Sequence, residues 1–267
     1  MLATMTASPT SPVTTPHFSG RAFGVDVGGS GIKGALVDLA TGEFVGERRK
    51  IETPRPATPD AVADVVARII ADAGWDGPVG VTLPSVIKDQ TALTAANIDD
   101  SWIGTNCHDL LTAHLGPREI AVLNDADAAG LAEVAHGDPA ARTGAVLFLT
   151  FGTGIGSALI TDGALFPNTE LGHMLIDGVE AEHLASSAAK DREALSFEAW
   201  AQRVDVVLTE FEKLFSPTAF VVGGGISRQA DKWLPLLDVT TPVLPARLRN
   251  RAGIVGAALA AAGHVTP

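Results

Sequence analysis

The feature that most constrains this chain is a glycine-rich turn between two apolar runs, Phe23–Asp38 (FGVDVGGSGIKGALVD). The first run carries one acid, Asp26, and ends in Gly28 and Gly29. Ser30, Gly31 and Lys33 lead into the second, which closes on Asp38. Two β-rich runs joined in this way predict a hairpin. Glycines let backbone N–H groups approach an anion closely, and Ser30 and Lys33 add a hydroxyl and a cation. The spacing is neither GxxxxGK[ST] nor a GxGxxG that opens a helix, so neither a P-loop nor a dinucleotide fold is expected. Taken alone, the stretch is equally an ordinary tight hairpin. A second stretch, Val146–Asp162 (VLFLTFGTGIGSALITD), repeats the layout, with Gly152, Thr153, Gly154 and Gly156 in its turn. The repeat is one of pattern rather than of letters. Two such hairpins on two similar halves would clamp a phosphate chain between them, and this favours the phosphate cradle.

The whole chain of 267 residues fits that reading, being long enough for one large domain or two moderate ones with real cores. A formal net charge of −12 argues against a nucleic-acid-binding face, so a polyanionic substrate must meet local positive pockets. No apolar run approaches the ~20 residues that span a bilayer. The single cysteine, Cys107, cannot form an internal disulfide, which suits a reducing cytoplasm. Met1–Gly20, rich in Ser, Thr and Pro, lacks the pattern of a signal peptide and is expected to be a disordered arm.

Along the chain, Phe44–Glu52 reads as a third strand. A helix starts at Thr58-Pro59, with Val62, Val65, Val66, Ile69, Ile70 and Ala73 on one face and Gly74 at its end. Val79–Leu83 is a short buried strand, Pro84–Thr105 a long loop, Asp109–Leu115 a helix and Glu119–Leu123 a strand, and Asn124-Asp125 caps a further helix. From Gly144 a second series begins. It contains a strongly amphipathic helix over Ser196–Phe215, a strand over Thr218–Val222 and a small-residue helix from Ala252. Two β-β-β-α-β-α-type halves around a central cleft predict an α/β fold of the actin-like, ribonuclease-H-like kind. The expected division is a small lobe over 21–124, completed by the C-terminal helix 252–267, and a large lobe over 125–251.

Several residues carry chemistry in this frame. Asp125 follows Asn124 at the carboxyl end of a strand, where α/β sheets place ligands. It reads as a helix-cap acid or as a catalytic base, and the helix start is expected to keep its pKa low. Glu170, His173 and Glu182, in loops, offer the carboxylates and imidazole that recognise sugar hydroxyls. A metal site built from His173, His183, Glu170 and Glu182 stays open as a rival. Gly224 and Gly225 form a turn close to a ligand, and Trp102 either walls a sugar or fills a core. Lys33, Arg228, Lys232, Arg247, Arg249 and Arg251 are the candidate cations of a phosphate track. The last three are expected to alternate in an extended segment and share one face.

Taken together, DVGGSGIKG, TAANIDDSWIGTN, LNDADAAGLAE, LTFGTGIGSALI, PNTELGH and VVGGGISRQADKW resemble the polyphosphate glucokinases of the ROK sugar-kinase family. Within them the similarity is greatest to the polyphosphate/ATP-dependent glucomannokinase type. The resemblance runs from about Phe23 to Ala261. It implies transfer of a terminal phosphoryl group from polyphosphate, ATP or both to the 6-hydroxyl of glucose, and of mannose as well. It implies Asp125 as base and Asn97, Asn124, Asp125, Glu170, His173 and Glu182 as sugar ligands. Gly28, Gly29, Ser30, Gly31 and Lys33, with Gly152, Thr153, Gly154, Gly156, Gly224 and Gly225, would hold the donor, and Asp26 would lie near Mg²⁺. A cytoplasmic homodimer is implied, with no membrane or nucleic-acid partner. Two departures stand out. Met174–Ala189 has no Cys where ROK kinases commonly bind zinc, so no zinc is expected. Ser85 replaces a usual Gly near the sugar, which bears on discrimination at the 2-position. A strictly ATP-dependent ROK hexokinase and a sugar-binding ROK-type regulator are the alternatives. The regulator would need a basic helix-turn-helix before the first hairpin.

Overall fold

A computed structural model of the chain describes residues 19–263, 265 and 267. The arm expected over Met1–Gly20 lies almost wholly outside the described residues. The first hairpin forms as the two apolar runs and their glycine turn predict. β1 (Arg21–Gly28) and β2 (Gly31–Asp38) pair antiparallel, with Gly29 and Ser30 in the turn and Asp26 opposite Lys33. Then follow β3 (Glu43–Ile51), α1 (Pro59–Ala73), β4 (Val79–Leu83), a small hairpin of β5 (Ile87–Lys88) and β6 (Thr91–Ala92), α2 (Cys107–Leu115), β7 (Ile120–Asn124) and α3 (Asp125–His136). The first sheet runs β3-β2-β1-β4-β7, with β1, β4 and β7 mutually parallel.

The second series begins with β8 (Ala145–Phe151), β9 (Ile155–Thr161) and β10 (Ala164–Phe166). After a minor hairpin of β11 (Leu175–Ile176) and β12 (Val179–Glu180) come α4 (Ala181–Ala185), α5 (Ser187–Arg192), α6 (Phe197–Phe215), β13 (Ala219–Gly223), β14 (Val243–Pro245) and α7 (Ala252–Ala262). Its sheet runs β10-β9-β8-β13-β14, again with three antiparallel strands followed by parallel additions. Counted from its own hairpin, each sheet therefore has the order 3-2-1-4-5. The repeat read from pattern is a repeat of topology, and the architecture is the actin-like α/β fold.

The helices form where apolar spacing and stop signals agree. On α1, Val62, Val66, Ile69 and Ile70 are buried, and Gly74 ends the helix in the left-handed conformation with φ 62°. Thr58 precedes it in extended conformation but makes no capping bond. On α6, the Ser196 hydroxyl accepts from the Ala199 N–H, and Trp200, Val204, Val207, Leu208 and Phe211 are buried. Leu214, although in phase with that face, is 63% exposed.

α3 and α7 join the two halves. A Cβ on Gly80 of β4 would lie 1.8 Å from the Ala257 carbonyl oxygen, and one on Gly256 would lie 1.7 Å from that of Ala128. Glycine at these two positions lets sheet, α7 and α3 approach backbone to backbone. One apolar core consequently runs from Ala22 and Val37 of the first sheet through Ala258 to Phe148 and Ile160 of the second.

Two expectations are corrected. Pro84–Thr105 is not a structureless loop: it holds the β5–β6 hairpin and a 3₁₀ turn over Asp100–Trp102. The arginine segment is not extended, since Arg249–Arg251 form a 3₁₀ turn entered through a left-handed Arg249 (φ 54°). Arg247 pairs with Asp138 and Arg251 with Glu43, so these two cations serve packing between segments.

Candidate active site

The carboxyl ends of β1, β4 and β7 and the turn of the second hairpin open onto two adjoining cavities. The first, about 370 Å³, is walled by Asp26 and Lys33 from the first hairpin and by Gly223–Gly225, Ser227 and Arg228 after β13. Arg249, Asn250 and Gly253 complete it. The second, about 560 Å³, is walled by Pro84–Val86 and Asn97 on one side and by Thr153–Ser157, Glu170, His173 and Glu182 on the other. Asp125, Ala126, Thr150 and Gly152 belong to both. Basic side chains and glycine turns suit the first to an anion; acids, an amide and an imidazole suit the second to a polyol.

Asp125 opens α3 because Asn124 ends β7 and caps the helix, its Oδ1 accepting from the N–H groups of Ala126 (2.7 Å) and Asp127 (3.3 Å). The Asn124 Nδ2 also donates, at 3.2 Å, to the Ser85 carbonyl on the loop that leaves the neighbouring strand β4. Most of its amide is thus spent on holding Asp125 rather than left for a ligand. The Asp125 carboxyl is open toward the cleft and crowded by protein on its other sides. Its pKa is not low, as the helix start suggested, but pushed up to about 6. Burial is the main cause, the charge of Asp26 adds to it, the Ala126 N–H opposes it, and Glu170 contributes further. Burial also raises the Glu170 carboxyl, with His173 opposing and Glu182 adding.

The predicted ligands divide between the cavities. Lys33 donates to Asp26 at 3.3 Å, and Asp26 also accepts from the Thr82 hydroxyl at 3.3 Å. Gly28, Gly29, Ser30 and Gly31 form the turn beside them. Gly224 and Gly225 face the anion cavity, as does Gly152, whereas Thr153, Gly154 and Gly156 lie along the polyol cavity. Glu182 accepts from the Ile155 N–H at 3.2 Å, and a side chain on Gly154 would strike that carboxylate, at 2.2 Å from Oε2. Asn97 is left-handed (φ 61°) and reaches the polyol cavity from the long loop.

Other candidates resolve otherwise. Trp102 is buried and donates to the Ala57 carbonyl at 2.9 Å, so it fills the core. Lys232 is engaged by Gln229 and lies over the Phe197 ring. The Ser85 hydroxyl is committed to the Thr94 carbonyl at 2.6 Å. Among the described residues, His173, Glu180 and Glu182 bring ligand atoms within 4.8 Å of one another, a different set from the four expected. Glu180 lies 3.5 Å from His173 and 3.6 Å from His183, so its carboxylate sits between the two imidazoles. Thr150, on both cavities, was missed, because a threonine inside an apolar strand gives no signal of its own.

A model of the ROK family matches residues 22–187. The chain belongs to the ROK family. Across the ROK family it is similar to the polyphosphate glucokinase of Mycobacterium tuberculosis (strain CDC 1551 / Oshkosh), at 51% identity over 98% of this chain and 99% of that one. It is also similar to the crystal structure of the inorganic polyphosphate/ATP-glucomannokinase of Arthrobacter sp. strain KM. There the identity is 49% and the TM-score 0.84, over 92% of this chain and 100% of that one. A ROK family glucokinase from Streptomyces griseus, solved with glucose and AMPPNP, superposes with TM-score 0.74 at 25% identity, covering 90% of this chain and 98% of that one. The family read from the six motifs is the family found.

Proposed function

We propose that this ROK protein transfers the terminal phosphoryl group of inorganic polyphosphate or ATP to the 6-hydroxyl of glucose, and of mannose as well, with Asp125 as general base. One observation carries the reading: Asp125 stands in the wall shared by the cavity of Lys33, Arg228 and Arg249 and the cavity of Glu170, His173 and Glu182. A base in that wall reaches a hydroxyl held on one side and a phosphoryl group held on the other. As the sugar oxygen bonds to phosphorus, Asp125 takes its proton. The phosphoanhydride bond breaks, and its electron pair leaves on the shortened polyphosphate or ADP. The transition state of phosphoryl transfer is loose, so positioning and charge stabilisation contribute more than base strength. Lys33, Arg228 and Arg249 supply that positive charge.

Mg²⁺ fits the donor cavity on chemical grounds. Asp26 and Asp125 are hard oxygen donors, and the charge of Asp26 disfavours the ionised form of Asp125, which a divalent cation would relieve. When bound, Mg²⁺ would neutralise phosphate charge, with Asp26 as the residue that holds it. Asn97, Glu170, His173 and Glu182 orient the sugar. The glycine turns at Gly28–Gly31 and Gly224–Gly225 let backbone N–H groups reach phosphate, and Gly152 keeps the boundary between the two cavities open.

The working unit we propose is a cytoplasmic homodimer with lobes over 21–124 plus 252–267 and over 125–251. Val179 and Val206, exposed beside Ile176 on the second half, offer an apolar contact surface for a dimer. No described helix is long and apolar enough to cross a membrane. The test is sugar-6-phosphate formation from glucose or mannose, each with polyphosphate or ATP and Mg²⁺. Product with ATP alone would leave a strictly ATP-dependent hexokinase, and no product from any pair would end the kinase reading.

A further inference from the structure

A second acid on α3 takes no part in the chemistry above. Asp127 is fully buried. Its Oδ2 accepts the Asn168 N–H at 2.8 Å, while Oδ1 has no hydrogen-bond partner. Asn168 is left-handed (φ 58°), and its side-chain amide makes two bonds to a single residue of the first half. Oδ1 accepts the Ile87 N–H at 2.9 Å, and Nδ2 donates to the Ile87 carbonyl at 2.6 Å. Ile87 directly follows Pro84–Val86, one wall of the polyol cavity. Asn168 stands two residues before Glu170 on the other wall.

We propose that Asp127 and Asn168 form a strap that ties the two walls of the acceptor cavity together and sets Glu170 and His173 against the sugar. Both are positioning residues. The paired amide makes the contact directional, and Asn tolerates the left-handed backbone that presents it. Asp127 satisfies a backbone N–H that would otherwise be buried unpaired. A buried acid with one unpartnered oxygen is a costly way to stabilise a core, and burial pushes this carboxyl up to about 7. Such a group is better explained by a required geometry, since a displacement of about 1 Å at a substrate-orienting group can cost ~10²-fold in rate.

The strap rests on the reading of Glu170 and His173 as acceptor ligands, and the test separates the two. Asn168→Gly keeps the left-handed backbone and the N–H to Asp127 but removes the Ile87 pair. Asp127→Ala removes the acceptor, Asp127→Asn retains one, and Glu170→Gln reports on the acceptor site itself. Steady-state kinetics for glucose and for each donor are measured with the melting temperature of every variant. Asn168→Gly and Asp127→Ala should raise the glucose KM ~10-fold or more, with donor KM values within about twofold. Asp127→Asn should stay within about threefold of the parent, since its amide oxygen still accepts the Asn168 N–H. An unchanged glucose KM in Asn168→Gly, beside a raised one in Glu170→Gln, overturns the strap alone. A lowered melting temperature with unchanged KM values in both strap variants does the same. If Glu170→Gln also leaves the glucose KM unchanged, the acceptor-site reading falls and the strap with it. Should Asp127→Ala fail to fold, Asn168→Gly decides the matter.

Discussion

Asp125 is pulled two ways by its position. A helix N-terminus favours the carboxylate by about 0.3–1 kcal/mol, less than one pH unit at about 1.36 kcal/mol per unit. Desolvation can move a buried carboxyl by several units, and here it wins, with Asp26 adding to it. The group is therefore ionised, and able to accept a proton, above about pH 6. Asp125→Asn should retain glucose binding in a calorimetric titration while turnover falls ~10²–10⁴-fold. The acid limb of kcat/KM should lie near pH 6. Asp26→Asn should shift that limb to lower pH, whatever it does to the maximal rate. The same shift fixes a stability dependence. A carboxyl whose folded pKa is raised lends stability below its ordinary pKa of 3.8 and loses it as pH rises through about 6. Asp125→Asn should therefore melt above the parent at pH 8, with the difference fading toward pH 4 in differential scanning fluorimetry.

One element, α3, organises the site. It begins with Asp125, holds the acceptor loop through Asp127, and at its far end buries Glu133. The Glu133 oxygens accept the N–H groups of Arg247 (2.9 Å) and Leu248 (2.7 Å), immediately before the left-handed Arg249 that lines the donor cavity. α7 lies against α3 and the first sheet at backbone distance. Gly256→Ala would put a methyl 1.7 Å from the Ala128 oxygen. Backbone on both sides cannot yield, so the loss should be about 1–3 kcal/mol or more by urea denaturation. In Gly74→Ala the added methyl meets open space, and only the left-handed backbone is strained, at a cost of roughly 1–2 kcal/mol. At the donor end, Arg228→Gln with Arg249→Gln should raise the KM for polyphosphate more than that for ATP. The longer polyanion has more charge to meet, and Lys232, Arg247 and Arg251 are engaged elsewhere. Equal effects on both donors would assign these arginines to the shared phosphate site.

At the scale of the molecule, two sheets of the same order face each other across a cleft and share a core through α3 and α7. Sugar bound as we propose, between Pro84–Val86 on one side and Glu170–His173 on the other, would touch both halves. Closure should exclude water from the phosphoryl group, and small-angle scattering should record a smaller radius of gyration with saturating glucose. Superimposable profiles would mean that the free enzyme is already closed or has no hinge. The net charge of −12 sets the wider field. On the donor site we propose, polyphosphate would be drawn to Lys33, Arg228 and Arg249 against general repulsion, so added salt should change polyphosphate use more than ATP use.

What is local or periodic could be read from the residues alone. Apolar runs on either side of Gly28–Gly31 and Gly152–Gly156 dictated two hairpins, and their common layout dictated two like halves. Gly74 and Ser196 marked helix ends, because a left-handed stop and a hydroxyl cap are properties of a few consecutive residues. Asn124-Asp125, Glu170 and His173 were legible as candidates because such residue types cluster in loops at strand ends, and they line one cavity. The tertiary structure decided what depends on neighbours distant in sequence. Asp125 is a raised acid because the assembled chain buries it, and Asp26, about a hundred residues earlier, adds its charge in the same cleft. Arg249 faces the donor cavity while Arg247 and Arg251 do not, because Asp138, Glu43 and Glu133 hold that segment. Asn168 bonds to Ile87 across the cleft, a pairing that no local pattern encodes. Charge, burial and cross-cleft hydrogen bonds are properties of the assembled chain, and in this protein they turn a recognisable set of residues into a defined site.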